Sequence, residues 1–197
     1  MTLLRAFIAI EIPLPIRQAI FTQTESLRRE LGPALVRWVS IDSLHLTLKF
    51  LGDVSPANVE MLAQMLTAET LGCTPFLIQI GGFGAYPNSR RARVIWIGIQ
   101  APAALESLQR GIEAASARLG YEAEDRPFSP HLTIGRVKQQ ISNADQQYVR
   151  AAVDRTKVGA LGTAEITSVD LFKSDLQPSG AVYTRLVCAP FYENGPR

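Results

Sequence analysis

The chain has 197 residues, of which 47% are hydrophobic and 19% charged, and this balance excludes an intrinsically disordered protein. A net charge of +2 is too small to hold long nucleic-acid duplexes by charge alone. Its 2 cysteines lack motif spacing, which excludes a disulfide framework and a thiolate metal site. Since no apolar run has the length of a signal peptide or a membrane span, we expect a cytoplasmic protein with no membrane partner.

Strand-like and helix-like patterns alternate along the first half of the chain. The expected elements are a strand over 3–11, a helix over 13–30, a strand over 36–39, a strand over 44–51, a helix over 55–71 and a strand over 76–80. Gly32-Pro33 is typical of a helix stop. Gly81-Gly82 predicts the end of the last strand in this series.

The second half repeats this order of elements. We expect a strand over 94–99, a helix over 102–119, a strand over 131–137, a helix over 142–153 and strands over 166–172 and 182–188, with a turn at Gln177-Pro178-Ser179-Gly180. A helix stands before and after the strand over 44–51 and again before and after the strand over 131–137. This indicates an internal duplication with a period near 86 residues, and an α+β fold of two similar lobes facing across a groove.

The 2 histidines of the chain occupy the same tripeptide, in His45-Leu46-Thr47 and in His131-Leu132-Thr133. Strand alternation places each leucine on the buried face and each histidine and threonine on the open face. Histidine transfers protons near neutral pH, and a threonine hydroxyl donates a hydrogen bond to a phosphate oxygen. The pattern therefore predicts an acid and a base that face each other across one substrate.

Two other interpretations of the histidines compete with this one. A single strand histidine is commonly a structural residue, but two in matching tripeptides are hard to explain in that way. Histidine is also a common metal ligand, and the nearby acids are Asp42, Asp53 and Asp125. Because no third histidine, cysteine pair or His-Glu spacing accompanies the pair, we predict no metal and no cofactor.

These motifs resemble those of the two-histidine phosphoesterases, and within them the bacterial and archaeal RNA 2′,3′-cyclic phosphodiesterase family, also called 2′-5′ RNA ligase. The resemblance covers nearly the whole chain. It rests on Arg5–Ile10, Trp38, Leu44–Gly52, Gly82–Pro87, Val94–Gly98, Pro130–Arg136 and Leu171–Ser174 with Gly180 and Tyr183.

The resemblance implies a single bilobal catalytic domain over 1–197, with a central cleft and one motif per lobe. It implies metal-free hydrolysis of a 2′,3′-cyclic phosphate at an RNA 3′ end, or of a cyclic nucleotide, to a 2′-phosphate. The reverse chemistry joins a 5′-hydroxyl end through a 2′-5′ bond without ATP. By the family's usual assignment, His45 is the proton donor and His131 the proton acceptor, although the reverse reaction exchanges these roles. We expect a monomer.

Further residues are candidates for binding the substrate. Arg136 matches the family's arginine after the second histidine, and a bulge at Gly135 would turn it to the histidine face; a surface ion pair is its alternative role. Lys49 shares the face of His45 by alternation and adds positive charge there, unless it is an ordinary exposed strand lysine. Ser174 is either a substrate donor or a turn serine.

Aromatic and basic residues complete the candidate set. Phe7 and Tyr183 are expected to stack on a terminal nucleotide, with Phe7 placed equally well in the cleft or in the core. Core packing is the favoured role of Trp96. The basic cluster of Arg90, Arg91 and Arg93 either guides RNA or forms a solvated loop.

Two alternative functions remain open at this point. In the first, the chain is a nucleotide- or RNA-binding module without turnover. In the second, it is a phosphodiesterase for another small cyclic or 2′-5′ phosphodiester. A pure binding module would not need paired proton-transfer groups, which favours the enzyme.

Overall fold

The computed structural model describes residues 2–177 and 180–191. Its strands are β1 (Leu4–Glu11), β2 (Val36–Trp38), β3 (His45–Val54), β4 (Phe76–Tyr86), β5 (Val94–Gln100), β6 (His131–Val137), β7 (Ala160–Ile166), β8 (Ser168–Gln177) and β9 (Gly180–Pro190). Its helices are α1 (Leu14–Leu35), α2 (Val59–Thr70), α3 (Ala103–Arg118) and α4 (Asn143–Arg155).

Local sequence signals predict most helix ends, but α1 continues five residues beyond the predicted end at 30, and α2 begins at Val59, four residues after the predicted start at 55. Pro15 stands in the first turn of α1, where its missing N–H costs no hydrogen bond. Regular geometry in α1 breaks at Gly32, whose φ of 57° lies in the left-handed region, so the predicted stop acts as a stop within the longer element. Ser142 and Asp145 form a reciprocal capping box that starts α4.

The strands in the described part of the chain form one antiparallel sheet in the order β7-β4-β5-β6-β3-β1-β8-β9, with β2 paired to β6. Outward from its middle, the sheet runs β6-β5-β4 on one side and β3-β1-β8 on the other. The two sides are thus equivalent around the β3–β6 junction. The predicted α+β class with two similar halves is confirmed.

One face of the sheet packs against the helices. Leu46 on β3, Leu132 on β6 and Ile112 on α3 are all at most 1% exposed and belong to the same hydrophobic cluster. Burying these side chains turns the alternate residues of β3 and β6 toward the opposite face. The position of the core therefore determines which side chains reach the cleft.

Strand β4 differs from the prediction because it continues through Gly81-Gly82 to Tyr86. The register with β5 shifts between Ile80 and Phe83, and Gly82 has a φ of 75°. A Cβ atom on Gly81 would lie 2.6 Å from the Gly159 carbonyl oxygen. The two glycines therefore form a bulge under close backbone contact instead of ending the strand.

Two further differences concern the C-terminal part. Strand β7 was not predicted, because its glycine-containing sequence lacks apolar alternation. Strand β8 begins two residues after the predicted start at 166 but continues to Gln177, and β9 runs from Gly180 to Pro190, so both extend beyond the predicted ends. Pro178 and Ser179 of the predicted turn lie outside the described residues. Among the helices described, none has the length and apolar character needed to cross a bilayer.

Candidate active site

The two histidine tripeptides meet at the centre of the sheet. Leu46 of β3 pairs with Leu132 of β6 in antiparallel orientation, so the middle residues of both tripeptides lie side by side. Because the strands run in opposite directions, His45 and Thr133 lie on one side of this pair, and Thr47 and His131 on the other. All four point away from the buried leucines, as predicted.

Each imidazole is held by the same kind of hydrogen bond. The Nδ1 atom of His45 lies 2.8 Å from the Ser43 carbonyl oxygen, and Nδ1 of His131 lies 2.7 Å from the Ser129 carbonyl oxygen. A carbonyl oxygen only accepts, so Nδ1 carries the proton and donates in both rings. The Nε2 atom of each ring is therefore the one that exchanges protons with a substrate.

A serine two residues before each histidine is a signal that the sequence interpretation missed. Ser43-Leu44-His45 and Ser129-Pro130-His131 repeat the same spacing in both halves. The serine contributes its backbone carbonyl to the histidine, which any residue type supplies. Only the repetition of the spacing points to this local geometry.

Both motif strands contain a bulge at the same place. The register of β1 against β3 shifts across Leu48, and the register of β5 against β6 shifts across Ile134. The seven residues from each histidine onward share one order of burial, in which the fourth and fifth are both buried and the sixth is exposed. The sixth residue of each set therefore returns to the histidine face.

The bulge places Arg136 on the cleft face, as predicted, although the register skips Ile134 and not the predicted Gly135. Its positive charge lowers the pKa of His45 and of His131, so it acts on both rings. It also acts on the Tyr183 hydroxyl. Burial raises the pKa of this hydroxyl, and the charges of Arg136 and Arg5 offset part of the rise. Arg136 is thus a cation whose charge reaches both imidazoles and the Tyr183 hydroxyl.

The predicted placement of Lys49 is wrong. The bulge at Leu48 turns Lys49 to the helix-covered side, where it is 4% exposed. Its Nζ atom lies 2.5 Å from Glu113 Oε1 on α3 and also donates to the Glu122 carbonyl. Strict alternation fails because one extra residue in a strand exchanges the two faces beyond it.

The counterpart of Arg136 in the first half is Phe50, and strict alternation along this strand, which predicts that Phe50 is buried on the face of Leu46, is wrong here. Phe50 is 61% exposed, and its ring centroid lies 6.2 Å from that of Phe7. The two halves therefore offer the same backbone frame but different side chains, a cation in one and an aromatic ring in the other.

Aromatic rings support the two histidines unequally. The ring of His45 contacts Phe7 at 4.7 Å and the edge of Tyr183 at 5.1 Å between centroids. The ring of His131 contacts Tyr86 edge-on at 5.0 Å. Phe7 is only 3% exposed and stacks on Phe172, so its predicted stacking on a nucleotide is not available to it. It forms the wall behind His45 instead.

Two other predicted residues lie on the same face. Ser174 pairs with Tyr183 across β8 and β9, and both are partly buried at the edge of the cleft. Trp96 pairs with Thr133, so its side chain is on the cleft face and not in the core as expected. It packs on Gly84, where a Cβ atom would lie 2.4 Å from the indole.

Burial sets the protonation of the two rings. Burial lowers the pKa of His45 to about 4, the Ser43 carbonyl partly offsets this, and Arg136 adds to it. Burial also lowers the pKa of His131. The hydrogen bond to the Ser129 carbonyl raises this pKa in part, and the charge of Arg136 lowers it further. Both rings are therefore neutral at pH 7 in the free protein.

Comparison with known proteins agrees with this geometry. The sequence model of the LigT-like phosphoesterase family matches this chain twice, over residues 10–96 and over residues 97–183. The chain belongs to the LigT-like phosphoesterase family. The two matches are successive copies of one unit, and each copy contains one histidine tripeptide. The predicted family and the prediction of a phosphoesterase enzyme are confirmed.

Several relatives are similar over most of their length. The RNA 2′,3′-cyclic phosphodiesterase of Methanothermobacter thermautotrophicus is 32% identical over 91% of this chain and 95% of its own. That of Methanocaldococcus jannaschii is 34% identical over 91% of this chain and 96% of its own. The crystal structure of Escherichia coli LigT with 3′-AMP has a TM-score of 0.74 and 26% identity, covering 97% of this chain and 99% of LigT.

The ion pair of Lys49 yields a first test. Replacing Lys49 by Met keeps the side-chain volume but leaves the Glu113 carboxylate without its partner. We expect the free energy of unfolding, measured in urea, to fall by about 3 kcal/mol. Lys138→Met, at an exposed position, is the control and should change it by about 0.5 kcal/mol or less. A stable Lys49→Met variant with a strongly raised KM would instead assign Lys49 to the substrate.

The protonation of the LigT-like site yields a second test. Catalysis by one charged and one neutral imidazole needs the singly protonated pair, which exists between the two pKa values. Because both values lie below the ordinary 6.5 and that of His45 is about 4, kcat/KM should peak between them. The measurement is kcat/KM on a cyclic nucleotide from pH 4 to pH 8. A profile whose fall begins only above pH 7 would contradict the buried state of the rings, because the higher of the two pKa values would then lie above 7.

Proposed function

We propose that this chain hydrolyses the 2′,3′-cyclic phosphate at an RNA 3′ end to a 2′-phosphomonoester, using its side chains alone and no cofactor. The observation that carries the proposal is the pair of carbonyl-held imidazoles on one face of the sheet, with the charge of Arg136 acting on both. The names of the relatives agree with this substrate.

Ring opening of the cyclic phosphate needs a base, an acid and donors for the phosphoryl oxygens. Nε2 of His131 takes a proton from water, whose oxygen forms a bond to phosphorus. The bond from phosphorus to the 3′ oxygen breaks, and His45 gives that oxygen a proton. Thr47 and Thr133 donate hydrogen bonds to the phosphoryl oxygens, and Arg136 offsets the charge that develops there.

The unequal burial of the rings supports this division of roles. Because the pKa of His45 is depressed to about 4, the protonated form of His45 is a stronger acid than an ordinary imidazolium. The pKa of His131 falls by less, which leaves it the stronger base. The mechanism needs one protonated ring, whereas both rings are neutral in the free protein. An anionic substrate between the rings raises both pKa values and so favours the uptake of this proton.

The same constellation joins two strands, with the same roles for the two histidines, when a 5′-hydroxyl replaces water as the attacking group. The oxygen of that hydroxyl attacks phosphorus, and the product is a 2′-5′ phosphodiester with a free 3′-hydroxyl. Opening the cyclic ester supplies the free energy for forming the new phosphodiester bond, so no ATP is consumed. We include this joining reaction in the proposal and expect a single bilobal catalytic domain over 1–197 that works as a monomer.

Product analysis tests the hydrolytic function. We expect an oligonucleotide with a cyclic phosphate end to yield a 2′-phosphate, identified against 2′- and 3′-phosphate standards, at a rate that EDTA does not change. His45→Ala and His131→Ala should each lower kcat by about 10²–10⁴-fold, since a proton-transfer group is lost. Thr47→Ala and Thr133→Ala should lower it by about 10²–10³-fold, as for loss of an oxyanion donor.

The outcomes separate the alternatives. Binding of the oligonucleotide without turnover would support an inactive binding module. A 3′-phosphate product would show that the phosphorus–O2′ bond breaks in place of the phosphorus–O3′ bond. Loss of activity in EDTA that returns with a divalent cation would contradict the proposed chemistry, because the acid, the base and the oxyanion donors are then insufficient.

The roles of the two histidines need their own test, because a pH profile is the same for either assignment. A cyclic substrate with sulfur in place of the 3′ oxygen has a leaving group that needs no acid. We expect this substrate to restore His45→Ala to within about tenfold of the parent enzyme, since only the general acid has become dispensable. His131→Ala should stay inactive. Rescue of His131→Ala alone would exchange the two roles.

A further inference from the structure

A cavity beside the two-histidine site is not used by hydrolysis. It measures about 490 Å³, and its walls include Gly84, Tyr86, Asn88, Trp96, Asp154 and Lys157. Tyr86 belongs to both places, since its ring also contacts His131 edge-on at 5.0 Å. The cavity therefore begins where the site ends on the side of His131, and its volume is ample for one nucleoside.

Its floor is aromatic. Tyr86 and Gly84 of β4 pair with Val94 and Trp96 of β5, so Tyr86 and Trp96 present their rings on one face of the sheet. Their ring centroids lie 5.3 Å apart at an angle of 34°. Gly84 is the residue that lets the indole lie flat on the strand, because any Cβ atom there would overlap it. Surfaces of this kind stack nucleobases with little regard to sequence.

Its rim is cationic. Lys157 lines the cavity, and the lining loop at Pro87–Ser89 continues directly into Arg90, Arg91 and Arg93, all exposed. None of these three arginines lies within ion-pair distance of a carboxylate among the described residues, whereas Arg150 pairs with Asp154 and Arg155 with Glu30. The acid in the wall, Asp154, is thus already matched, which leaves a surplus of positive charge at the rim.

The direction of the reaction indicates what would occupy this cavity. In-line displacement brings the attacking oxygen to phosphorus opposite the leaving 3′ oxygen. The base stands on the side of the attacking oxygen, and in the proposed roles that base is His131. Water needs no room beyond His131. A nucleotide that attacks through its 5′-hydroxyl must extend past His131, toward Tyr86 and the cavity.

We propose that this cavity binds the 5′-hydroxyl nucleoside of a second RNA strand, while Lys157 and the arginines of the rim hold its first phosphates. This inference rests on the proposed function and adds the subsite for the joining reaction. In that step the 5′ oxygen bonds to phosphorus and its proton passes to His131 Nε2. The phosphorus–O3′ bond breaks, and the 3′ oxygen takes the proton of His45.

The experiment compares joining with hydrolysis in the same tube. A cyclic-phosphate oligonucleotide is incubated with a second oligonucleotide that carries a 5′-hydroxyl, and the ratio of joined to hydrolysed product is measured. Lys157→Glu and Arg91→Glu should each lower this ratio by about tenfold, because reversed charge repels the incoming phosphates. Trp96→Ala should lower it as well, through loss of stacking.

The matched control is Arg110→Glu, which makes the same change of charge on an exposed position of α3, the helix that packs behind the sheet. A fall of the ratio in Arg110→Glu equal to that in Lys157→Glu would overturn the proposal. So would an equal loss of oligonucleotide hydrolysis in Lys157→Glu, because the cavity would then hold the strand that carries the cyclic end.

Hydrolysis of the cyclic-phosphate oligonucleotide without a second strand separates the acceptor subsite from the proposed function. If the parent enzyme does not hydrolyse it, the proposed function fails. If the parent enzyme hydrolyses it and joins no 5′-hydroxyl strand at any concentration, the acceptor subsite fails while the hydrolytic function stands.

Discussion

The antiparallel contact between Leu46 and Leu132 is the constraint on which the site depends. It joins the two halves of the sheet through β3 and β6, and it brings together two tripeptides that lie far apart in the chain. Each leucine is almost completely buried, and burial of a leucine side chain contributes roughly 1.5–3 kcal/mol. A slip of one residue would expose the leucines and bury the histidines, so the core determines the register and with it the chemistry.

The shared bulge explains how a duplicated unit serves an asymmetric reaction. Both halves fold back to the cleft face two residues after the bulge begins, which puts Arg136 in one half and Phe50 in the other at equivalent positions. A cation on both sides would repel, and an aromatic ring on both sides would leave the phosphate without a counter-charge. The frame is symmetric because the same burial pattern is repeated, whereas the side chains presented on it differ between the two halves.

Much of this arrangement follows from the sequence because it depends on local periodicity. The alternation around His45 and His131 correctly separates buried leucines from open polar side chains, and Gly135 correctly signals the bulge that turns Arg136. The same alternation rule misplaces Lys49, because its strand carries no glycine to mark the equivalent bulge. Tyr86 was missed for a related reason: Gly81-Gly82 reads as a strand end unless the close approach of another backbone is known.

The unequal surroundings of the two imidazoles are a tertiary property, and they give the two rings different pKa values. Both Nδ1 atoms donate to a backbone carbonyl, so hydrogen bonding treats the rings alike. Two aromatic rings, Phe7 and Tyr183, cover His45, while Tyr86 alone flanks His131 in the same way. Desolvation consequently depresses the pKa of His45 further than that of His131. Two identical residues in identical local frames thus acquire different proton affinities from what packs against them.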